Sequence, residues 1–306
     1  MSMRVLITGG AGFIGCHLTK ALIKKNAVVA FDNFSSGKIE FLEGVDAKVI
    51  RGDIRNFQEI KEACKQVDVV YHFAADPDVR RSFSEPVENF AIGAFGTVNV
   101  LEACRLNDVK QIVFASSSVI YGIAKIPTPE EAPIAPISNY GAAKVASEYY
   151  ISTYSQLYDI KATILRYANI IGPKLTHGVI YDFYQKIKKK PKKLEILGDG
   201  NQKKSFLHVA DTVGATLLAT KKTAKCDVFN VGSEETITVK KLAHLVVSAL
   251  GLQAVRYRYT GGSTGWPGDV PIMLLSIEKL KSFGWKPKFT IEESIIDTVD
   301  WLVRHF

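Results

Sequence analysis

The chain has 306 residues, of which 47% are hydrophobic and 23% are charged, and its formal net charge is +8 at pH 7. This length and composition predict a soluble globular protein with a large core and one or two domains. No apolar run approaches the roughly twenty residues that cross a bilayer. The first apolar run is followed at once by glycines, unlike a signal sequence, so we expect a cytoplasmic protein.

The cysteines and the basic residues exclude two further classes of site. Cys16, Cys64, Cys104 and Cys226 lie far apart, which matches neither a disulfide framework nor a metal site. The densest basic run, Lys186–Lys193, contains lysines without interleaved arginine or aromatic residues. We therefore expect no metal and no nucleic-acid partner, but a solvated basic surface that attracts small anionic substrates.

A glycine-rich turn follows the first apolar run. Residues 5–7 lead into the sequence TGGAGFIG over residues 8–15, after which the apolar residues take helical spacing. Gly9 can adopt backbone angles closed to other residues, Gly12 lets the main chain approach a pyrophosphate, and Gly15 permits close packing of helix on strand. The turn predicts a dinucleotide site, and the alternative is a tight strand-to-helix turn without a ligand.

A second apolar run supports the dinucleotide site and indicates which dinucleotide is bound. Residues 28–31 end at Asp32, about twenty residues beyond the glycines, where a carboxylate can accept both hydroxyls of an adenosine ribose. The same carboxylate repels a 2′-phosphate, and no arginine follows in residues 33–37. The sequence therefore predicts NAD rather than NADP, although Lys38 is close enough in sequence to reach a phosphate.

Apolar runs and helical periodicity alternate through the first half of the chain. This alternation predicts a doubly wound parallel α/β sheet of the Rossmann type over residues 1–167. Beyond Tyr167, shorter segments separated by glycine and proline predict a smaller C-terminal α/β lobe over residues 168–306 that binds the substrate, with chain crossovers between the lobes. Strands are expected at residues 3–8, 27–31, 47–50, 68–73, 111–116 and 161–166, and helices at 13–25, 56–66, 88–106 and 140–157.

Hydroxyl and amine side chains follow the fifth predicted strand. Ser117 lies where that strand ends, at the edge of the sheet where open α/β folds bind ligands. Tyr140 and Lys144 lie one turn apart on one face of the next helix. We expect the ammonium and a positively charged nicotinamide ring to lower the pKa of the tyrosine from about 10 toward neutrality. The phenolate could then exchange a proton with a substrate hydroxyl.

Together these motifs resemble the extended short-chain dehydrogenase/reductase family, in its nucleotide-sugar branch, with UDP-glucose 4-epimerases as the nearest group. The resemblance covers essentially the whole chain. Its motifs are, in chain order, residues 8–15 (TGGAGFIG), 52–55 (GDIR), 72–75 (HFAA), 116–122 (SSSVIYG), Tyr140 with Lys144, 166–169 (RYAN), 206–209 (FLHV), 230–232 (NVG) and 267–270 (PGDV).

The resemblance implies a role for particular residues. Ser117, Tyr140 and Lys144 would form the catalytic triad. The residues implied at NAD are Gly9, Gly12, Phe13, Ile14, Gly15, Asp32, Asn33, Asp53, Ile54, Phe73, Ala74, Ala75, Tyr140, Lys144 and Tyr167. The residues implied at a nucleotide-diphosphate sugar, a UDP-sugar first of all, are Ser117, Asn169, Lys204, Asp269 and Met273. A homodimer is also implied, with the helices near 88–106 and 140–157 paired between two copies.

The two residues after Ser117 indicate the reaction. In this family, dehydratases carry an aspartate and a glutamate there, and decarboxylases carry a glutamate. Ser118 and Val119 supply no such acid or base, so we expect reversible epimerisation at C4 through a 4-keto sugar. The alternatives are a nucleotide-sugar oxidoreductase that releases its keto product and a non-catalytic NAD sensor, which the presence of Tyr140 and Lys144 disfavours.

Three parts of the sequence depart from the family pattern. Gly93 stands where an asparagine is common, Lys204 replaces an arginine, and residues 263–266 lack the usual phosphate-binding arginine. Lysine offers a point charge rather than a two-pronged clamp, so the hold on the diphosphate is expected to be weaker, or the nucleotide different. Met273 corresponds to the position that limits sugar size, and its flexible side chain leaves the N-acetyl sugars open.

Overall fold

The computed structural model describes residues 2–306 and contains one large sheet and several small ones. The strands in chain order are β1 (Arg4–Thr8), β2 (Ala27–Asp32), β3 (Lys48–Arg51), β4 (Val69–His72), β5 (Gln111–Ser117), β6 (Lys161–Tyr167), β7 (Asn169–Ile171), β8 (Lys193–Ile196), β9 (Lys203–Lys204), β10 (Phe206–His208), β11 (Cys226–Val231), β12 (Ile237–Thr238), β13 (Arg256–Tyr259) and β14 (Ile272–Met273).

Helices connect most of these strands. In chain order they are α1 (Phe13–Leu22), α2 (Phe57–Ala63), α3 (Arg81–Ser84), α4 (Pro86–Phe90), α5 (Gly96–Leu106), α6 (Asn139–Tyr158), α7 (Gly178–Lys189), α8 (Val209–Lys222), α9 (Val239–Ala249), α10 (Glu278–Ser282) and α11 (Ile291–His305). A π-helical turn, Ala91–Phe95, joins α4 to α5.

The large sheet has seven parallel strands in the order β11-β6-β5-β4-β1-β2-β3. The chain builds outward from β1 to β3 on one side and then from β4 to β6 on the other. Its strand order therefore reverses between β1 and β4, where open α/β sheets bind ligands beyond the carboxyl ends of the strands. The expected doubly wound Rossmann sheet is confirmed.

Both faces of this sheet are covered by helices. Ile60 of α2, Leu101 of α5 and Ile151 of α6 pack in the core on one face. On the other face, Leu18 of α1 and Val213 of α8 pack in a second core. Burial on both faces explains why the strands are continuous apolar runs rather than alternating ones.

The expected helix over residues 88–106 is wrong as a single helix. It is divided into α4, the π-helical turn and α5. At the turn, a Cβ on Gly93 would lie 2.9 Å from the Cβ of Ala143, so the backbone here approaches α6 closely. Thr97 Oγ1 donates to the Gly93 carbonyl oxygen at 2.5 Å. The apolar periodicity runs through this segment and does not reveal the interruption.

The smaller sheets lie in the C-terminal half of the chain. β7 pairs with β10, β8 with β13, and β9 lies between β12 and β14. A separate apolar core contains Phe183 of α7, Leu242 of α9 and Ile295 of α11. The chain also returns to the large sheet, because α8 covers it and β11 extends it. The large sheet therefore contains residues from both sides of the boundary expected at residue 167.

Within residues 2–306, no helix is both long enough and apolar enough to cross a membrane.

Candidate active site

The glycine turn after β1 forms a cradle with no room for side chains. Gly9 has a φ of +69°, and its amide donates to the Phe31 carbonyl oxygen at 2.8 Å. A Cβ on Gly15 would lie 2.0 Å from the Gly9 carbonyl oxygen, whereas a Cβ on Gly12 would meet only that same oxygen, at 3.1 Å. No side chain caps the start of α1. The amides there suit a pyrophosphate, so the turn fits a dinucleotide.

Asp32, the residue expected at the adenosine ribose, is fixed against this cradle. Its carboxylate accepts hydrogen bonds from the backbone N–H groups of Ala11, at 2.9 Å, and Phe34, at 2.8 Å. Burial raises the pKa of the Asp32 carboxyl, and these two donors oppose the shift. Lys38, the alternative phosphate ligand, places its ammonium 4.7 Å from the centroid of the Phe306 ring, where it makes a cation–π contact.

Two further residues implied at NAD lie beside each other. Asn33 Nδ2 donates to Asp53 Oδ2 at 3.0 Å, and the Arg55 guanidinium pairs with the same carboxylate at 2.7 Å. This guanidinium holds the pKa of Asp53 well below its usual range. The Ile54 side chain is buried in the core, and a Cβ on Gly96 would lie 2.6 Å from its Cδ1.

The remaining residues implied at NAD occupy two places. Phe13 and Ile14 pack their side chains against the core of the C-terminal half. Phe73, Ala74 and Ala75 follow β4, so they lie at the point where the strand order reverses. Tyr167 is buried below them: its hydroxyl lies 2.7 Å from Thr216 Oγ1, and its ring centroid lies 6.1 Å from that of Phe73. Contact between these residues and NAD stays a prediction.

The structure brings Ser117, Tyr140 and Lys144 together at the carboxyl end of β5. Ser117 is the last residue of that strand, and its side chain lies beside the Tyr140 phenol. The Lys144 ammonium lies 5.6 Å from the centroid of the Tyr140 ring and donates to the Ala115 carbonyl oxygen at 2.6 Å. Ser138 caps the start of α6, the helix that carries Tyr140 and Lys144, because its side chain accepts a hydrogen bond from the Gly141 amide.

The protein's own groups do not lower the pKa of Tyr140, and the lowering expected from a bound nicotinamide ring stays a prediction. Burial, with a smaller contribution from the negative charge of Asp76, raises the pKa of this phenol to about 12, and the Ser117 side chain only partly opposes them. Burial also acts on Lys144, where it lowers the pKa of the ammonium to about 8 against the attraction of Glu148. Sequence spacing identified Tyr140 and Lys144 as a pair, but it did not identify the burial that is the main cause of both pKa shifts.

The residues implied at the substrate come from four strands and one loop, and Ser117 on β5 is described above. Asn169 on β7 donates to the Ser205 carbonyl oxygen at 2.9 Å, and Met273 on β14 pairs in register with Lys204 on β9. Lys204 is not a free cation, because its ammonium lies 2.5 Å from Asp269 Oδ1. The structure therefore joins two of these residues, Lys204 and Asp269, in one ion pair.

The segment expected to lack a phosphate clamp lies near the start of α6. A Cβ on Gly268 would lie 3.0 Å from the Ile137 carbonyl oxygen and 3.4 Å from the Trp266 ring, so this loop packs on the segment that enters the catalytic helix. The neighbouring Asp269 Oδ2 accepts a hydrogen bond from the Gly265 amide at 3.0 Å. Asp269 thus holds both the loop and Lys204.

Sequence reasoning missed three charged residues near Tyr140 and Lys144. Asp76 lies in the loop after β4, and its carboxylate is 3.4 Å from the Arg81 guanidinium. Glu148 and Arg166 form a buried ion pair of 2.7 Å behind Lys144. Lys144 and Glu148 are four residues apart on one helix, and this spacing could have revealed Glu148. Nothing in the local sequence identifies Asp76.

Comparison with known proteins agrees with this site. The NAD dependent epimerase/dehydratase family profile matches residues 5–232. A putative UDP-glucose 4-epimerase of Methanocaldococcus jannaschii is 36% identical, covering 97% of this chain and 98% of that protein. The crystal structure of a UDP-galactose 4-epimerase superposes with a TM-score of 0.91 at 42% identity, covering 99% of this chain and 100% of that one.

A further solved structure was determined with the cofactor. The UDP-glucose 4-epimerase of Thermus thermophilus in complex with NAD superposes with a TM-score of 0.90 at 34% identity, covering 99% of this chain and 100% of that one. The family profile, the full-length relatives and the cradle after β1 agree. The chain therefore belongs to the NAD-dependent epimerase/dehydratase family, as an epimerase-like enzyme with NAD as its cofactor.

Proposed function

We propose that this protein interconverts UDP-galactose and UDP-glucose by inverting C4 of the sugar. The observation that carries the proposal is the meeting of Tyr140, Lys144 and Ser117 at the carboxyl end of β5, on the same sheet edge as the glycine cradle. The full-length similarity to a putative UDP-glucose 4-epimerase and to a UDP-galactose 4-epimerase supports the choice of sugar.

Each residue has a separate part in the proposed reaction. NAD, when bound, accepts and returns the C4 hydride, and the positive charge of its nicotinamide ring lowers the pKa of the nearby phenol. Tyr140, as phenolate, takes the proton of the sugar O4 and later gives it back. Ser117 hydrogen-bonds to the Tyr140 oxygen and to the sugar O4. Lys144 supplies the positive charge that stabilises the phenolate.

The proposed inversion needs a firmly held diphosphate and a sugar that can turn over. Lys204 is one point charge already paired with Asp269, which supports a weaker hold on the diphosphate than a two-pronged arginine would give. Met273 is the residue we propose to border the sugar, and an unbranched thioether adapts to more than one sugar. We therefore expect UDP-N-acetylgalactosamine to be a slower second substrate.

The proposal is tested by incubating the purified protein with UDP-galactose and no added cofactor. Formation of UDP-glucose, followed by NMR, supports 4-epimerisation with retained NAD. UDP-N-acetylgalactosamine is assayed in parallel to examine the N-acetyl sugars. Protein that carries NAD but leaves UDP-galactose unchanged contradicts the proposed substrate, and accumulation of NADH with a free keto sugar favours the oxidoreductase.

Replacement of Asp32 by alanine is expected to weaken NAD binding about tenfold and to narrow the preference for NAD over NADP. The carboxylate accepts two backbone hydrogen bonds in the turn and its charge repels a 2′-phosphate. Calorimetric titration of cofactor-free protein with each dinucleotide measures the ratio. Lys38→Ala is the control, because its ammonium contacts an aromatic ring, and we expect no change in that ratio. An unchanged ratio in Asp32→Ala contradicts the assignment.

We also propose that two copies of the chain pair through α4 and α6. These helices pack against each other, and both leave large apolar side chains exposed. Exposed apolar residues gathered on neighbouring helices are typical of an interaction surface. The family resemblance implies pairing of the helices near 88–106 and 140–157, and the first of these corresponds to α4, the π-helical turn and α5. The exposed residues are Phe83, Val87, Phe90 and Phe95 on α3, α4 and the π-helical turn, and Tyr149, Tyr150, Leu157 and Tyr158 on α6.

Replacement of Val87 by glutamate is expected to convert the proposed dimer to a monomer. Val87 is 80% exposed, so the change should not disturb the folded subunit, but a buried charge at an interface would cost several kcal/mol. Sedimentation velocity measures the mass. Val303→Glu is the matched control, because Val303 is 54% exposed on the distant helix α11. Wild-type protein that sediments as a monomer contradicts the proposal.

A further inference from the structure

A buried carboxylate lies one helical turn beyond the Lys144 ammonium. Glu148 on α6 is only 5% exposed, although carboxylates are rarely buried unless they are paired. Ser116 Oγ donates to its Oε1 at 2.5 Å, and the Arg166 guanidinium of β6 donates to both oxygens, at 2.7 Å in the shortest bond. The negative charge is therefore held in one position.

Three consecutive residues of β5 lie against three residues on one face of α6. The Ala115 carbonyl oxygen accepts from Lys144, Ser116 donates to Glu148, and the Ser117 side chain lies beside the Tyr140 phenol. The three helix residues are spaced by four, so they form a single row along the helix. Glu148 is the end of that row farthest from the Tyr140 hydroxyl, and it is the only carboxylate in it.

We propose that Glu148 is a positioning residue for the epimerisation proposed above: clamped by Ser116 and Arg166, it seats α6 on β5 and sets a fixed, buried negative charge one helical turn from Lys144. It touches neither the proposed substrate nor NAD and acts through Lys144. The inference rests on the proposed function for its effect on turnover, but the effect of the Glu148 charge on the ionisation of Lys144 can be measured without it.

The groups around Lys144 leave Glu148 as the main source of attraction. On α6 these groups are Tyr140 and Glu148, and on β6 the only one is Arg166, which already pairs with Glu148. His72 on β4 is buried, which lowers its pKa to about 3, so it is neutral in the working range. Asp76, in the loop beyond β4, acts on Tyr140. The Lys144 ammonium is only 4% exposed, and burial alone favours loss of its proton.

The test is Glu148→Gln, which keeps the size of the side chain and an acceptor for Ser116 but removes the charge. Without that charge Lys144 should lose its proton at a lower pH. We expect the alkaline limb of the kcat–pH profile to move down by about one pH unit, while KM changes less than about threefold and bound NAD is retained. Ser116→Ala is the control, because it removes one hydrogen bond and leaves the charge, and the limb should stay in place.

A second variant guards against misfolding. Glu148→Gln leaves the Arg166 guanidinium buried without its partner, so the double variant Glu148→Gln/Arg166→Gln removes both charges together. A downward movement of the alkaline limb is again expected, but a smaller one, because loss of the Arg166 charge partly offsets loss of the Glu148 charge. Folded single and double variants, judged by circular dichroism and thermal melting, that both keep the wild-type alkaline limb overturn the proposal.

An NMR titration separates this inference from the proposed function. Protein with ¹⁵N-labelled lysine is titrated, and the Lys144 signal is assigned by its loss in Lys144→Arg. The pKa of Lys144 should fall by about one unit in Glu148→Gln, whether or not UDP-galactose is a substrate. An unchanged pKa overturns the positioning role, whereas wild-type protein that converts no UDP-galactose but shows the shift contradicts only the proposed substrate.

Discussion

Phenylalanine in place of Tyr140 is expected to lower kcat for UDP-galactose by about 10²- to 10⁴-fold, the range typical of a lost general acid–base group. The phenol is the one proton carrier that Ser117 and Lys144 flank at the end of β5. Burial raises its pKa to about 12, so without help from a positive charge the group would keep its proton at neutral pH. The loss should therefore fall on kcat.

The measurement compares kcat and bound NAD in the same preparation. NAD released from the denatured variant should equal that of the wild type, because Phe fills the same space beside the cofactor cleft. Tyr149→Phe is the matched control, since Tyr149 lies on the same helix and is exposed, and its kcat should be unchanged. Normal turnover by the Tyr140 variant would show that another group carries the proton.

Most of the large sheet could be predicted from the sequence. The runs at residues 27–31 and 111–116 correspond to Ala27–Asp32 and Gln111–Ser117, because buried parallel strands are unbroken apolar segments bounded by turns. The seventh strand, Cys226–Val231, was missed. This strand is partly exposed at the edge of the sheet. It also lies beyond Tyr167, where the regular alternation of strands and helices ends, so periodicity alone did not connect it to the first six strands.

The candidate site was predictable in its residue types but not in its long-range partners. Tyr140 and Lys144 are neighbours by helical spacing alone, and the structure brings them to Ser117. The partner of Lys204, in contrast, is Asp269, and 65 residues separate the two. No local pattern reports such a pair, nor the burial that raises the pKa of Tyr140. Both depend on the packing of the finished fold.

Alanine in place of Gly15 is expected to abolish NAD retention and to destabilise the protein. Its Cβ would lie 2.0 Å from the Gly9 carbonyl oxygen and 2.9 Å from the carbonyl carbon. Backbone atoms cannot swing aside as a side chain can, so α1 must move away from the turn. Forced packing of this kind typically costs about 1–3 kcal/mol, and the displaced N-terminal amides of α1 would no longer meet a pyrophosphate.

Bound NAD and the melting temperature of the purified variant measure these two effects. The matched control is Gly214→Ala in α8, where a Cβ would meet only Trp285 Nε1, at 3.7 Å, and alanine favours the helix. We expect that variant to keep NAD and to melt at or above the wild-type temperature. If Gly15→Ala retained NAD as the control does, the cradle after β1 would have to tolerate a wider turn than its contacts allow. The dinucleotide would then depend chiefly on Asp32 and the residues after β4.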